Sequence, residues 1–302
     1  MTTPISTLQT LAYDVTGAVV ADFDGSSKQW EYASENLQMV QAHGNTNGMR
    51  GTRSRTKDRR RILSESIGGQ LVLNPTPVEL DTILPLILGA AEVTNTFDLA
   101  DTLPSFGLLL DRITARFVYT EMVVNRATFA GSQGGFITLT LDLLGKTEVV
   151  DYSTVFPVTV PAIDSGQPYV FGDVTYALGI DASAAEVQAF SVTIDNALDP
   201  NHFYNSITRT QINPTDRIVA VDMVLSFDAD TKDAYDQAVT GGNGTLTLDS
   251  GTPQTLFTFA NLGVPAVSPV GGGRGNEILL NLSMVAEMSG ATNELVVTHA
   301  SS

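Results

Sequence analysis

The sequence repeats one pattern of segments in its two halves. Arg61 and Arg217 each open a predicted strand, and a short helix follows that strand, ending at Gly89 in the first half and near Gly241 in the second. A glycine-rich turn and a long apolar strand then close each copy. Because two linked copies of one fold halve the number of chains that a closed ring needs, the repetition favours a building block for a ring.

The predicted elements indicate a mainly β protein. Thr138 and Thr140 alternate with Leu139 and Leu141, which is typical of a strand with one buried and one wet face. The stretch 91–110 contains a proline and a glycine and is predicted to be irregular. The expected fold is two tandem β-sandwich or barrel domains, each with a short flanking α-helix. The predicted strands are 37–41, 67–73, 117–124, 136–144, 255–260 and 278–285.

The length of the chain favours two domains. Its 302 residues exceed what one hydrophobic core usually organises. We divide it into an N-terminal arm or edge hairpin at 1–30, a first domain at 31–160 and a second domain at 161–302. Residues 155–172 are rich in proline and glycine and are expected to form the linker.

Both predicted helices begin with capping residues. In the first half Thr76 caps the helix and Glu79 follows three residues later, as a capping box requires. In the second half Asp230 and Asp233 have the same spacing. Pro85 is expected to kink the first helix or to end it early.

Charge and composition exclude several classes of function. The net charge of −17 disfavours a general nucleic-acid binder, because phosphates would meet repulsion over most of the surface. The chain has no cysteine, which excludes disulfides, thiolate metal sites and cysteine nucleophiles. Neither a secretion signal nor an apolar run long enough to span a bilayer is recognised, so we expect folding in the cytoplasm without a membrane.

No set of residues suggests catalysis. The three histidines, His43, His202 and His299, lie outside known catalytic motifs, and we expect them at the surface or in turns. Residues 228–233 resemble the start of a calcium loop, but a lysine stands where an oxygen ligand is needed. We therefore predict no enzyme activity and no catalytic, cofactor-binding or metal-binding residues.

One basic segment stands out against the acidic background. A run of this kind is usually a solvated loop, and nucleic-acid binding is the usual functional interpretation. Docking onto the acidic surface of an identical neighbour fits the charge balance better, with the cations guiding orientation while apolar strand contacts supply most of the energy. The basic residues are Arg50, Arg53, Arg55, Lys57, Arg59, Arg60 and Arg61.

The order of these segments resembles a known family. In the second half the resemblance rests on residues 190–196, the strand 218–227 with its helix, 276–288 and 293–298. In the first half it runs from Gly69 through the helix to Leu139. Over most of residues 31–300 the chain is similar to the major tail tube proteins of long-tailed, non-contractile bacteriophages of the siphovirus type.

The resemblance implies a structural virion protein. Such proteins form rings of six β units that stack into a hollow tube around a tape-measure protein, and DNA later passes through the lumen. A chain with two units would make a pseudo-hexameric ring from three copies. The resemblance also implies tail-terminator and distal tail proteins as partners at the tube ends, assembly in the host cytoplasm, and a basic loop that docks between rings.

Two other functions stay open at this point. The first is a tail-completion protein, or another tube-forming protein of a phage-derived injection system. The second is a secreted β-sandwich that binds or cleaves glycans, which the acidic, threonine-rich composition suggests. The missing export signal and an aromatic content of 7% argue against the glycan hypothesis.

Overall fold

The computed structural model describes residues 8–46, 48–49, 51–54, 57–153, 155–163, 166–178, 186–227, 241–251, 254–263, 268–271 and 277–300. These residues form a mainly β molecule with one α-helix, α1, at Pro77–Leu88. The strands of the first half are β1 (Thr10–Asp14), β2 (Lys28–Gln29), β3 (Ser34–Glu35), β4 (Gln38–Asn45), β5 (Arg60–Leu73), β6 (Thr96–Asp98), β7 (Phe106–Asp111), β8 (Arg116–Ser132), β9 (Thr138–Gly145) and β10 (Thr147–Asp151). Those of the second half are β11 (Val174–Leu178), β12 (Val187–Asp195), β13 (Ile218–Ser226), β14 (Gly242–Asp249), β15 (Gln254–Gly263), β16 (Val270–Gly271), β17 (Ile278–Glu287) and β18 (Leu295–Ala300).

A single antiparallel sheet, which we call the main sheet, runs through both halves of the chain. Its strand order is β4, β5, β9, β8, β12, β13, β17 and β16. The two halves meet where β8 pairs with β12, in a regular register from Ala189 opposite Ser132 to Asp195 opposite Arg126. Strands from both halves therefore form one continuous hydrogen-bonded surface.

Two flanking sheets pack against the main sheet. The first has the order β2, β1, β7, β8 and β10, and the second has the order β11, β14, β15, β18 and β6. The long strand β8 belongs to both the main sheet and the first flanking sheet. In the same way, β15 pairs with β18 along its first part and with β17 at its end.

The strand pairings of the first half recur in the second half in the same chain order. Each of six strand pairs has a counterpart, so β8 corresponds to β15 and β4 to β12. The matching pairs are β1–β7 with β11–β14, β7–β8 with β14–β15, β8–β10 with β15–β18, β8–β9 with β15–β17, β4–β5 with β12–β13, and β5–β9 with β13–β17.

Helix α1 begins with a complete capping box. The Thr76 hydroxyl accepts a hydrogen bond from the Glu79 amide at 3.3 Å, and the Glu79 carboxylate accepts one from the Thr76 amide at 3.0 Å. The expected early end at Pro85 is wrong, since the helix continues to Leu88 and ends at Gly89, whose φ is 90°. Gly89 adopts this left-handed conformation without a Cβ clash and donates to the Pro85 carbonyl.

The hydrophobic core is continuous between the two halves. Apolar side chains of α1, the main sheet and both flanking sheets form one buried cluster, and Phe129 meets Phe257 edge to face at 5.1 Å between ring centres. A small second cluster lies on the far side of β7, where Leu109 packs with Ala12 and Val118. Among the described residues, no helix is both long and apolar enough to cross a membrane.

Two strand predictions need correction. The stretch 91–110 is not irregular throughout, because β6 and β7 lie within it. All six residues of β7 are buried, since its two faces contact different clusters. The hairpin formed by β4 and β5 is also longer than expected, with Asn45 paired to Arg60 at its far end.

Candidate functional site

The face of the main sheet that points away from the core is polar. Thr128 on β8 and Thr193 on β12 lie opposite each other with their hydroxyls 3.2 Å apart. On the neighbouring strands, the Ser283 hydroxyl donates to the Asp222 carboxylate at 2.6 Å. We call this surface the wet face; it is formed by strands of both halves and presents hydroxyl and carboxylate groups.

Arg126 places one cation on the wet face between two acids. Its guanidinium contacts the Asp195 carboxylate at 2.7 Å, and Asp142 lies opposite it on β9. These acids raise the pKa of Arg126, the Asp195 hydrogen bond contributing most. The charge of this arginine is therefore offset locally, and it does not make the face basic.

The main sheet ends in two strands that have a neighbour on one side within the described part of the chain. At one end β4 pairs with β5 alone. At the other end β16 pairs with β17 alone. Unpaired N–H and C=O groups at a sheet edge can accept a strand from another chain. The two edges are therefore the first candidate contact surfaces.

A loop of the second half covers the end of the β5–β9 strand pair in the first half. The loop joins β12 to β13, and within it the Ile207 carbonyl accepts a hydrogen bond from the Glu65 amide at 2.6 Å. Arg209 belongs to the same loop and is buried, with 6% of its surface exposed. Its guanidinium donates to the carbonyls of Ile67 at 2.6 Å, Gly145 at 2.8 Å and Pro200 at 2.9 Å.

The contacts of Arg209 bind the loop between β12 and β13 to the main sheet. Three backbone carbonyls surround one guanidinium, whose planar set of donors can reach several acceptors at once. Burial lowers the pKa of Arg209, and Asp199 acts in the opposite direction. Phe203 lies beside the guanidinium at 5.7 Å from its ring centre. Sequence reasoning missed this residue, because one arginine in a weakly basic loop gives no signal by itself.

The basic segment is the loop equivalent to this one in the first half, between β4 and β5. Lys57 and Arg59 belong to a short 3₁₀ helix, and Arg60 and Arg61 begin β5 opposite Asn45 and Gly44. These four side chains and that of Arg53 are exposed. Arg50 and Arg55 lie outside the described residues. Where the structure describes it, the segment presents its cations to the surroundings.

His299 is buried, so the expectation of a surface or turn position is wrong for this residue. Its Nε2 lies 2.9 Å from the Pro77 carbonyl and 3.1 Å from the Asp81 carboxylate, which are both acceptors, so Nε2 carries a proton. Its Nδ1 contacts the Thr255 hydroxyl at 2.7 Å, and that hydroxyl meets the Tyr169 hydroxyl at 3.0 Å. His43 is exposed and His202 is partly exposed.

The His299 network connects the two halves of the molecule. Asp81, His299 and Thr255 have the order of groups found in some hydrolases, but His299 and Thr255 retain 1% and 0% of their surface exposed. A substrate cannot reach side chains covered to this degree. The network instead joins α1 of the first half to β15 and β18 of the second.

The remaining site predictions concern helix caps and metals. Thr76 and Glu79 form the cap described above, and Glu79 also accepts a hydrogen bond from the Glu31 amide at 2.8 Å. Asp230 and Asp233, with the expected second helix, lie outside the described residues. Within the residues that the structure describes, no group of three or more histidine and carboxylate side chains could hold a metal ion.

A continuous sheet with two available edges and a self-recognising loop fits a protein that works through contacts with other chains. The sequence agrees, since residues 13–286 match the phage tail tube protein family. The chain belongs to this family. It is thus a structural component of a virion tail that associates with itself into a tube, and membership points to a non-enzymatic role. A search among curated proteins finds no match.

Proposed function

We propose that copies of this chain close into rings that stack into the hollow tail tube of a siphovirus-type phage. Three chains would complete one pseudo-hexameric ring, since each supplies two units. We place the units at 31–160 and 161–302, with residues 1–30 as an arm or edge hairpin. The recurrence of six strand pairings in both halves supports the duplication.

The observation that carries the proposal is the pairing of β8 with β12 inside the chain. In the first half β8 lies beside β9 and receives β12 on its other side. In the second half β16 lies beside β17, and its other side has no strand among the described residues. Since β4 corresponds to β12, we propose that β4 of one chain pairs beside β16 of the next. Repeating this contact would continue the main sheet around the ring.

The wet face of the main sheet is the proposed lining of the lumen. Its hydroxyl and carboxylate groups and its compensated arginine would offer little attraction to phosphates. The net charge of −17 also weakens the attraction of the protein for phosphates. DNA would therefore pass through the tube without specific binding.

The basic segment is the proposed contact between stacked rings. Exposed ion pairs contribute about 0–1 kcal/mol each, so the cations would set orientation more than affinity. Assembly is proposed to take place in the host cytoplasm around a tape-measure protein, with tail-terminator and distal tail proteins at the tube ends.

Electron microscopy of the purified protein over a range of concentrations tests the proposal. We expect rings at low concentration and stacked rings or tubes at high concentration. Image averages should show threefold or pseudo-sixfold symmetry around an open lumen. A protein that stays monomeric, or that forms closed particles without ever stacking, contradicts the proposed function.

A further inference from the structure

The two loops that connect β4 to β5 and β12 to β13 share a short sequence at the same place. Thr52-Arg53-Ser54 in the first loop matches Thr208-Arg209-Thr210 in the second. Both arginines stand eight residues before the arginine that opens the predicted strand of each half, Arg61 or Arg217. Arg53 is therefore the positional counterpart of Arg209.

The two arginines differ sharply in their surroundings. Arg209 is enclosed by three backbone carbonyls, two of which belong to β5 and β9 in the other half of the chain. Arg53 is exposed, and no hydrogen bond or ion pair is seen for it within the described ranges. Its own loop leaves from β4, the strand at the edge of the main sheet. A strand pair that could receive Arg53, as the β5–β9 pair receives Arg209, does not lie beyond this edge in the described part of the same molecule.

The second half contains that surface. The strands that correspond to β5 and β9 are β13 and β17, and their pairing stops at the same end, at Ala220 and Val285. The adjacent buried residues Val219 and Ala286 match the buried Ile67 and Gly145. Val285 is 47% exposed and Met288 is 57% exposed at this end. Glu287, also exposed, ends β17 and supplies negative charge. The loop that covers this position in the first half has no counterpart here among the described residues.

We infer that Arg53 inserts between β13 and β17 of a second copy of this chain and donates to their backbone carbonyls near Ala220 and Val285. This inference rests on the proposed function, because it places the two copies side by side in one ring. It separates Arg53 from the other cations of the basic segment, which the proposed function assigns to contacts between rings. Arg209 makes the same contact within the chain.

A matched pair of substitutions tests the role of Arg53. Arg53→Ala and Arg59→Ala each remove one exposed cation from the same loop, so their net charges are equal. We expect the critical concentration for assembly to rise at least tenfold for Arg53→Ala, equivalent to about 1.4 kcal/mol. Arg59→Ala should raise it by less than threefold. Melting temperatures of the unassembled variants should match that of the wild type, which confirms that each variant folds.

Cysteine cross-linking tests the position of the contact, since the chain has no cysteine of its own. Ser54→Cys and Val285→Cys are prepared as separate proteins, mixed and treated with a short bismaleimide; Ser54 is exposed beside Arg53, which stays in place. The inference predicts a cross-linked dimer containing one copy of each variant, formed only under assembling conditions. Val158→Cys replaces Val285→Cys as the control, because Val158 is 94% exposed and lies outside the β13–β17 surface.

The possible results separate this inference from the proposed function. If the wild type forms tubes but Arg53→Ala assembles equally well, the inference is wrong and the proposed function stands. If Arg53→Ala forms closed rings that fail to stack, the arginine acts between rings and the inference is also wrong. If the wild type never assembles, both are wrong.

Discussion

Arg209 combines a permanent charge with almost complete burial. Removing a guanidinium from water is costly unless its donors find partners, and three carbonyls accept hydrogen bonds from three of its five N–H groups here. The contact also joins residues more than a hundred positions apart, because Ile67 lies in the first half. One side chain therefore joins the loop between β12 and β13 to two strands of the first half.

Arg209→Ala should destabilise the folded chain by about 2 to 4 kcal/mol, since it leaves buried carbonyls without donors. Thermal or urea unfolding measures the effect. Arg53→Ala is the control, and it should change the stability of the unassembled chain by less than about 0.5 kcal/mol, because Arg53 is exposed. Equal losses for both variants would contradict the difference in burial.

His299 should make stability fall in mild acid. Burial lowers its pKa from the ordinary 6.5, while Asp81, the Pro77 carbonyl and Glu92 act in the opposite direction. The unfolded chain therefore binds a proton below about pH 6.5 that the folded chain resists, and unfolding becomes more favourable as the pH falls. The contribution of neutral His299 to the free energy of unfolding is fully present above about pH 6.5 and is lost as the pH falls.

Melting temperatures at pH 7 and pH 5 measure this dependence. His299→Gln keeps a donor for the Pro77 carbonyl and cannot titrate, so its melting temperature should fall less between the two pH values. The comparison uses the change with pH and not the absolute stability, which the substitution also alters. An unchanged pH response in His299→Gln would show that other groups control the acid sensitivity.

Among the secondary-structure elements, α1 has the best-defined beginning. Thr76→Ala removes the hydroxyl that accepts from the Glu79 amide and should cost about 1 kcal/mol. Thr76→Ser keeps that acceptor and serves as the control, with a loss of a few tenths of a kcal/mol. Chemical denaturation of the two variants distinguishes them. A Thr76→Ser variant as unstable as Thr76→Ala would mean that the methyl group matters more than the cap.

Strand β4 provides a test of edge pairing. N–H groups point alternately to the two sides of a strand, so one of the adjacent residues Val40 and Gln41 points its N–H toward the open edge. Proline there removes only that donor, whereas proline at the other position also breaks the pairing with β5. We expect one of Val40→Pro and Gln41→Pro to keep a near wild-type melting temperature and yet fail to assemble. Normal tubes from the stable variant would exclude β4 as a contact edge.

The sequence predicted those elements whose residues alternate or carry caps. Strands β9 and β17 have one buried and one wet face, so their period is visible. Strand β7 has no such period because both of its faces are buried. The burial of His299 could not be predicted from the sequence, because it depends on contacts with α1, which lies far away in the chain.

The candidate contact surfaces were harder to predict than the strands. The basic segment was visible in the sequence as a cluster of charge. The contacts of Arg209 were not, because they depend on how the loop between β12 and β13 packs on the first half of the chain. The repeated Thr-Arg-Ser/Thr spacing is the one signal that could have identified it. Sheet edges cannot be recognised before the strand order is known.

At the scale of the whole molecule, stacking should depend on the charge of the basic segment. Changing Arg59, Arg60 and Arg61 together to Glu should shorten the tubes while each chain stays folded, because the three side chains are exposed at the start of β5. Tube length in negative-stain images is the measurement. The corresponding triple change to Gln removes charge without reversing it and should have a smaller effect. Tubes of normal length from the Glu variant would remove the segment from the stacking contact.

The pairing of β8 with β12 has a consequence for very dilute solutions. Because both strands belong to one polypeptide, dilution cannot separate them, however little protein is present. Contacts between different chains obey mass action and vanish at low concentration. A single molecule therefore already contains one example of the strand pairing that we propose between neighbouring chains, and the geometry of that pairing can be measured without assembly.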